Sequence, residues 1–216
     1  RQQNESRLRA IVALGHMIDS PENELTNFAL EEAVRLTDSS IGYVAFVDRT
    51  EKILTMQAWS SQAMKECQIQ DRQLIYEAGA TGLWGEALRQ RRPVITNDYK
   101  SPNQYKKGLP EGHVDVRRHL SLPVFDGEQI VMIAGLGNKP VDYDESDIQQ
   151  LTLFMSGLWG ILQRKRARAE LAASEELYRA VFEHANDAIF LMNGETFIDC
   201  NTKTLEMFGC TRDQII

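Results

Sequence analysis

The groups of this chain best suited to recognise a small molecule are concentrated in the segment 97–117, which is long, polar and without a regular hydrophobic pattern. It supplies amide, phenol and imidazole groups that can donate or accept hydrogen bonds: Asn97, Tyr99, Tyr105 and His113. Long irregular loops in compact domains are often functional and are otherwise solvated connections. We predict that these four residues contact a small-molecule ligand.

Three aromatic residues outside this segment could complete a ligand pocket. Tyr43 and Trp59 lie in strand-like stretches, and Trp84 lies in a short helix-like stretch. Large rings are also common in plain cores, because their burial dominates core energetics. Arg118 could neutralise an anionic ligand, or it could be a solvated residue on one face of a strand. We assign all four residues to the predicted ligand-binding set.

A metal centre is not expected from the pattern of ligating residues. His113, Asp115 and His119 could ligate a metal, but a tetrahedral site needs a fourth ligand and no second cluster supplies one. The three cysteines are far apart and form neither a zinc pattern nor a disulfide framework. We therefore predict no metal, no catalytic residue and no enzymatic activity for this chain, and the cofactor remains unknown.

The composition favours an ordinary globular protein. Hydrophobic residues make up 43% of the chain, which is enough for an ordinary packed core. The length of 216 residues suits one complete domain and part of a second. The formal net charge of −7 argues against nucleic-acid binding, which needs a basic face. The most apolar stretch, 151–162, is too short to span a membrane. We expect a cytoplasmic excerpt of a longer protein, whose other parts could carry membrane segments.

The hydrophobic periodicity predicts an α+β fold, in which helices flank an antiparallel sheet. Five segments have the composition of strands: 41–47, 53–59, 93–96, 119–125 and 129–136. Asp126-Gly127, between the last two strands, is a hairpin signal. Helices are predicted at 4–18, after Ser20, at 83–91 and at 144–184. Ser20 is expected to cap the second helix, with Pro21 at its first position.

After residue 173 the pattern restarts as a smaller α/β fragment. A helix at 175–183 precedes two short strands, 188–192 and 197–200, which flank a turn at Asn193-Gly194. A last helix is predicted at 201–208. A fragment with two strands buries little apolar surface, so we expect it to need further chain for independent stability.

Several stretches resemble the GAF domains of multi-domain bacterial and archaeal sensor proteins. They are GLWGEALRQRRPVITNDY (82–99), LPEGHVDVRRHLSLPVFDGEQIVMIAGLGNK (109–139) and YDESDIQQLTLFMSGLW (143–159). The stretch SEELYRAVFEHANDAIFLMNGETFIDCNTKTLEMFGCTRDQII (174–216) is similar to the first half of a PAS domain. The resemblance divides the chain into a GAF-like domain (1–162), a helical linker (163–173) and an incomplete PAS-like domain (174–216).

This resemblance implies the sensory region of a signal-transduction protein, of the sensor histidine kinase type. Such a region would bind a small molecule or a partner in its GAF-like domain and relay that event through the connecting helix. The alternatives are the sensor region of a diguanylate cyclase or phosphodiesterase and, less favoured, a GAF-fold redox enzyme. A two-cysteine redox cycle lacks a partner for Cys67 in this domain. Light-sensing relatives hold a bilin through a cysteine beside a histidine, and Cys67 has no such neighbour, so a covalent bilin is not expected.

The long helix predicted at 144–184 carries two apolar frames. The first has the spacing of a coiled-coil seam: Leu151, Phe154, Leu158 and Ile161. This frame then meets Lys165 and Arg168 and restarts at Leu171, which shifts its phase. Two helix pairings of similar energy would form a switch, so we assign Leu158, Ile161, Lys165, Arg168 and Leu171 to a signalling helix. We expect a parallel homodimer through the N-terminal and long helices, while the alternative is a solvated turn at 164–168.

Overall fold

The computed structural model describes residues 2–69, 73–108 and 111–215. The chain divides into two compact units, residues 1–163 and residues 164–216. Within the described residues, no helix combines the length and apolar character that a membrane span requires.

The helices of the first unit match the predicted order and add one short helix. They are α1 (Gln2–His16), α2 (Glu22–Leu36), α3 (Ser61–Glu66), α4 (Glu86–Gln90) and the start of α5 (Glu145–Glu183). Two 3₁₀ turns, Ala78–Ala80 and Leu83–Gly85, precede α4. Ser60 caps α3 by accepting a hydrogen bond from the backbone of Ala63.

A single antiparallel sheet forms the centre of this unit, as the α+β prediction requires. Its strands are β1 (Ile41–Val47), β2 (Ile53–Trp59), β3 (Ile75–Glu77), β4 (Val94–Thr96), β5 (His119–Asp126) and β6 (Gln129–Gly137). They are arranged in the order β3-β2-β1-β6-β5-β4. The bounds predicted for β1 and β2 are confirmed. The sequence pattern did not identify α3 and β3, which are too short for a clear period.

The two faces of the sheet have different neighbours. Leu120, Leu122 and Val124 of β5 pack in a large core with residues of α1, α2 and α5. His119 and Ser121 alternate with them and therefore lie on the opposite face. Tyr43 of β1 lies on this second face as well, within hydrogen-bonding distance of His119. One face of the sheet thus packs in the helical core, and the other combines a smaller apolar cluster with the polar side chains of His119 and Ser121.

The start of α2 differs by one residue from the prediction. Pro21, rather than Ser20, is the N-cap, with φ −53° and ψ 146°. Its carbonyl accepts the first helical hydrogen bond, from the backbone of Leu25 at 3.1 Å. The proline ring fixes φ near the value found here, and an extended ψ is compatible with a cap. The side chain of Ser20 is therefore not needed to begin the helix.

The long helix α5 is continuous from Glu145 to Glu183, so the alternative of a turn at 164–168 is wrong. The apolar seam predicted in its first half is also corrected. The four residues of that seam are buried in the core of their own domain: Leu151, Phe154, Leu158 and Ile161. A helix that packs one face on a sheet has the same spacing of apolar residues as a coiled coil, so periodicity alone does not separate the two.

The second unit contains the predicted hairpin and helix, with slightly shifted bounds. Strands β7 (Phe190–Asn193) and β8 (Thr196–Cys200) pair around Gly194, which has φ 64°. Helices α6 (Thr202–Phe208) and α7 (Arg212–Ile215) follow. Asn201 caps α6 and also donates to the carbonyl of Asp187 at 2.9 Å. This one side chain therefore joins the start of the hairpin to the helix after it.

Two glycines give a matched test of the packing between strands. A side chain at Gly135 would place its Cβ 2.1 Å from the ring of Tyr43, whereas a Cβ at Gly160 in α5 would meet nothing within 4 Å. We expect Gly135→Ala to lower the free energy of unfolding by about 1–3 kcal/mol through overpacking. Gly160→Ala should raise it by about 0.5–1 kcal/mol, because alanine favours helix. Urea denaturation of both variants measures the difference, and equal effects would contradict the packing described here.

Candidate functional site

A cavity of about 400 Å³ lies in the first unit, against the sheet face that carries Tyr43 and His119. Its walls come from the ends of β1 and β2, from α3, from the 3₁₀ turn before α4 and from the segment 97–117. Aromatic rings form much of the lining: Tyr43, Trp59, Tyr76, Trp84 and Tyr99. A concave space of this size with mainly apolar walls and few polar groups is typical of small-molecule sites.

His119 is the central polar group of the cavity and is only 6% exposed. Its Nε2 atom lies 3.3 Å from the phenolic oxygen of Tyr43, and the two rings are stacked. The ring of Tyr99 meets the imidazole edge-on, at 5.9 Å between centroids. Burial lowers the pKa of His119 to about 4, because the charged form loses its hydration. The imidazole is therefore neutral at physiological pH.

The wall that carries Trp84 is held in place by Arg89. Trp84 contacts Tyr43 and Tyr76 edge-on, at 5.8 and 5.2 Å between ring centroids. Arg89 pairs with the buried carboxylate of Glu86. Its guanidinium also donates hydrogen bonds to three carbonyls between residues 78 and 82, at 2.7–3.1 Å. The planar guanidinium thereby holds the main chain that leads directly into the 3₁₀ turn containing Trp84.

The segment 97–117 is joined at both of its ends to the connection between β6 and α5. Asn97 accepts from the backbone N–H of Tyr143 at 2.8 Å and donates to its carbonyl at 3.0 Å. Asn138, which has φ 62°, donates to the carbonyl of Asp115 at 2.7 Å and accepts from the backbone of Arg117 at 2.8 Å. In each case a side-chain amide pairs with main chain as a neighbouring strand would.

Five of the eight predicted ligand-contact residues line the cavity: Tyr43, Trp59, Trp84, Tyr99 and His113. The other three lie elsewhere. The amide of Asn97 is engaged with Tyr143, and Arg118 forms an ion pair with Asp142 at 2.9 Å. Tyr105 is 44% exposed. Arg118 is thus directed to a carboxylate of its own domain and not to the cavity.

The sequence interpretation did not select several residues that line the cavity. His119 could have been assigned to this face from the alternation in β5, because apolar residues 120, 122 and 124 mark the opposite one. Met64 and Cys67 come from α3 and the chain just after it, for which no pattern was found. A short helix of this kind gives no periodic signal from which its inward face could be inferred.

Metal-ligating atoms are present in the cavity but are not clustered. Cys67, His113 and His119 each contribute to the lining. The part of the chain that the structure describes contains no group of three or more His, Cys, Asp or Glu side chains arranged to hold a metal ion. Asp115, which the sequence placed with the two histidines, is exposed and lies 3.5 Å from Lys100.

Comparison with protein families accounts for this architecture. Residues 19–163, well over half of the chain, match the sequence model of the GAF domain. The chain belongs to the GAF domain family. Residues 176–216 match the model of the PAS domain, so a PAS-type region follows the GAF domain. The resemblance noted from the sequence is confirmed for both parts.

Among curated proteins, the chain is similar to the methyl sulfide methyltransferase-associated sensor of Methanosarcina acetivorans. The two are 54% identical over 178 residues, which are 82% of this chain and 18% of that sensor. The chain therefore spans less than a fifth of the length of the relative it matches.

Solved structures of other proteins share the fold of the first unit. The GAF domain of a phosphoenolpyruvate-protein phosphotransferase from Coxiella burnetii aligns with 77% of this chain and 98% of its own, at a TM-score of 0.62 and 14% identity. Free methionine-R-sulfoxide reductase from Neisseria meningitidis aligns with 79% of this chain and 91% of its own, at 0.55 and 13%. Such low identities establish the fold alone.

The buried imidazole of the GAF cavity gives a prediction for pH. Because the pKa of His119 is about 4 in the folded state and 6.5 as its ordinary value, the unfolded chain binds a proton first as pH falls. Stability therefore rises with pH across this window and is lost on acidification. We expect the wild-type protein to lose about 3 kcal/mol more than His119→Gln between pH 7 and pH 4. Urea denaturation at each pH measures this; parallel losses in the two proteins would contradict it.

Proposed function

We propose that this chain is the sensory region of a multi-domain signal-transduction protein. Its GAF domain binds a small molecule in the cavity beside His119, and occupancy of the cavity is conveyed to α5. The cavity geometry and the similarity to a protein named as a sensor support this proposal. Five of the residues predicted from the sequence to contact a ligand line the cavity: Tyr43, Trp59, Trp84, Tyr99 and His113.

The observation that carries the proposal is the pair of amide bridges at Asn97 and Asn138. The segment 97–117 provides part of the cavity wall, and these two side chains attach its ends to the connection between β6 and α5. Arg118 adds its ion pair with Asp142 in the same connection. Any movement of the wall on ligand binding therefore acts directly on the backbone that leads into α5.

A second connection lies at the other end of β5. Asp126 accepts hydrogen bonds from Trp159 Nε1 at 3.3 Å and from Gln163 Nε2 at 2.7 Å, both on α5. Trp159 also meets the ring of Phe46 on β1 edge-on, at 6.1 Å between centroids. Because His119 is the first residue of β5 and Asp126 the last, one strand links the cavity to the middle turns of α5.

We propose that the output of the full protein is that of a sensor histidine kinase, with a diguanylate cyclase or phosphodiesterase as the alternative. The sensory region itself then acts by binding and not by catalysis, and it operates in the cytoplasm. The signalling residues predicted on α5, including Lys165, Arg168 and Leu171, keep their place in this proposal. The continuity of the helix through residues 164–168 supports a relay along it.

Self-association as a parallel homodimer completes the proposal. In the later part of α5, Leu171, Tyr178 and Val181 lie at core positions of one coiled-coil frame, with Ser174 at the position between the first two, and the three are between 52% and 65% exposed. A second copy of the same stripe would remove this apolar surface from water. The stripe begins at Leu171, beyond the buried face that ends at Leu162, so it does not compete with the core of the GAF domain.

Coupling through Asn97 can be tested by filling the cavity instead of adding a ligand. Ala63 lines the cavity and is buried, so Ala63→Phe should press on its walls. We expect hydrogen exchange at residues 138–150 to change by about fivefold, the lower range of allosteric coupling. Adding Asn97→Ala should remove most of that response. Exchange is followed by mass spectrometry, with circular dichroism to check folding.

The control for this test is Gln62→Phe, which adds the same ring at an exposed position of α3. It should leave exchange at residues 138–150 unchanged. A response to Ala63→Phe that survives Asn97→Ala would show that the amide bridge does not carry the coupling.

Dimerisation is tested by placing charges on the exposed stripe. Light scattering at about 50 μM chain should give a dimer for the wild type. Leu171→Glu with Val181→Glu should give a monomer, because like charges would face each other across the seam. Ala180→Glu adds a carboxylate to the outer side of the same helix and should stay dimeric. A wild-type monomer under these conditions would count against self-association.

A further inference from the structure

Two buried polar atoms in the cavity have no hydrogen-bond partner among the residues that the structure describes. Tyr99 and His119 are each only 6% exposed, and both line the cavity. His119 uses Nε2 toward Tyr43, while no partner is found for its Nδ1 or for the phenolic oxygen of Tyr99. Buried polar groups are nearly always hydrogen-bonded, because a buried group without a partner has lost its hydration and gained no bond in exchange. These two atoms therefore mark the place of a ligand group.

The surroundings of these atoms are mainly apolar. Trp59 and Trp84 present large rings, and Met56, Met64 and Leu83 add aliphatic and thioether surface. Methionine side chains adapt to irregular shapes and pack well against rings. The body of a molecule held here would be apolar and, given the rings around it, aromatic.

Among the residues that the structure describes, the lysine and arginine side chains near the cavity are engaged with other groups. Lys106 donates to the carbonyl of Tyr99 at 2.6 Å, and Arg118 pairs with Asp142. Lys107 donates to two carbonyls of the 3₁₀ turn at residues 78–80. Burial also lowers the pKa of His119 and raises that of Tyr99, so both groups face the cavity uncharged at physiological pH.

We propose that the cavity takes an uncharged, largely aromatic molecule whose single hydrogen-bonding group docks between the Tyr99 hydroxyl and His119 Nδ1. This inference rests on the ligand-binding function proposed above and names the class of ligand. A hydroxyl suits the site best, because it both donates and accepts and so fits either tautomer of the imidazole. An anionic group would lose its hydration, and no lysine or arginine among the described lining residues would compensate its charge.

Three probes with the same ring system separate these possibilities. 2-Naphthol is uncharged and carries a hydroxyl, naphthalene lacks any polar group, and 2-naphthoate carries a carboxylate. Calorimetric titration of the whole chain should find 2-naphthol bound most tightly. Naphthalene should bind about three- to tenfold more weakly, the usual worth of one or two hydrogen bonds. 2-Naphthoate should bind most weakly.

Conservative variants assign the preference to the two side chains. Tyr99→Phe removes one oxygen and keeps the ring, so the preference for 2-naphthol over naphthalene should fall to about one- to threefold, the worth of at most one remaining hydrogen bond. His119→Phe should have the same effect, with naphthalene affinity retained. Tyr105→Phe deletes the same hydroxyl from an exposed tyrosine of the same segment and should leave the preference intact.

Each other outcome overturns a defined part of the proposal. Tightest binding by 2-naphthoate would overturn the uncharged class and leave a ligand-binding cavity. A preference for 2-naphthol that persists in both Tyr99→Phe and His119→Phe would remove these groups as the anchor. Failure of all three probes to bind the wild-type chain would overturn the aromatic ligand class, while the proposed coupling of the cavity to α5 is tested separately by Ala63→Phe.

Discussion

Side chains of an antiparallel strand alternate between two faces, and in β5 this alternation separates the helical core from the cavity. Leu120, Leu122 and Val124 hold α2 and α5 against the sheet, while His119 and Ser121 are on the other side. A shift of register by one residue would exchange these two sets. It would put an imidazole into the apolar core and leucines into the cavity. The fold and the polarity of the site therefore depend on the same pairing between β5 and β6.

The main chain between β6 and α5 is held by side chains, because no strand or helix continues through it. Asn97 and Asn138 each offer a donor and an acceptor, as a peptide group does. Lys139 and Asp147, both largely buried, add an ion pair at 2.7 Å across the first turn of α5. A removal of one partner from a buried pair is costly, since the other charge is left without compensation. The cavity wall and the helix start are thus built as one hydrogen-bonded unit.

The sequence predicted those parts of the structure whose signals are local. The strands β1 and β2, the Asp126-Gly127 hairpin and the long helix follow from alternation, turn chemistry and periodicity. The role of Asn97 could not be obtained in this way, because its partner Tyr143 is 46 residues away. The apolar residues from Leu151 to Ile161 were assigned to a coiled-coil seam, but they pack in the core of their own domain. Spacing of three and four residues indicates that one face of a helix is buried, and it does not indicate whether a sheet or a second helix covers that face. The aromatic residues selected from the sequence were the more reliable predictors of the cavity lining, since four of them line it: Tyr43, Trp59, Trp84 and Tyr99.

The amide bridges also make the domain sensitive to chemical ageing. Both Asn97 and Asn138 donate an N–H to a carbonyl, through Nδ2 in each case. Deamidation would convert either side chain to a carboxylate, which accepts hydrogen bonds and cannot donate them. The new oxygen would then face a carbonyl oxygen, and repulsion would replace attraction. Deamidation at either position would accordingly loosen one end of the segment 97–117 and leave the apolar packing of the sheet in place.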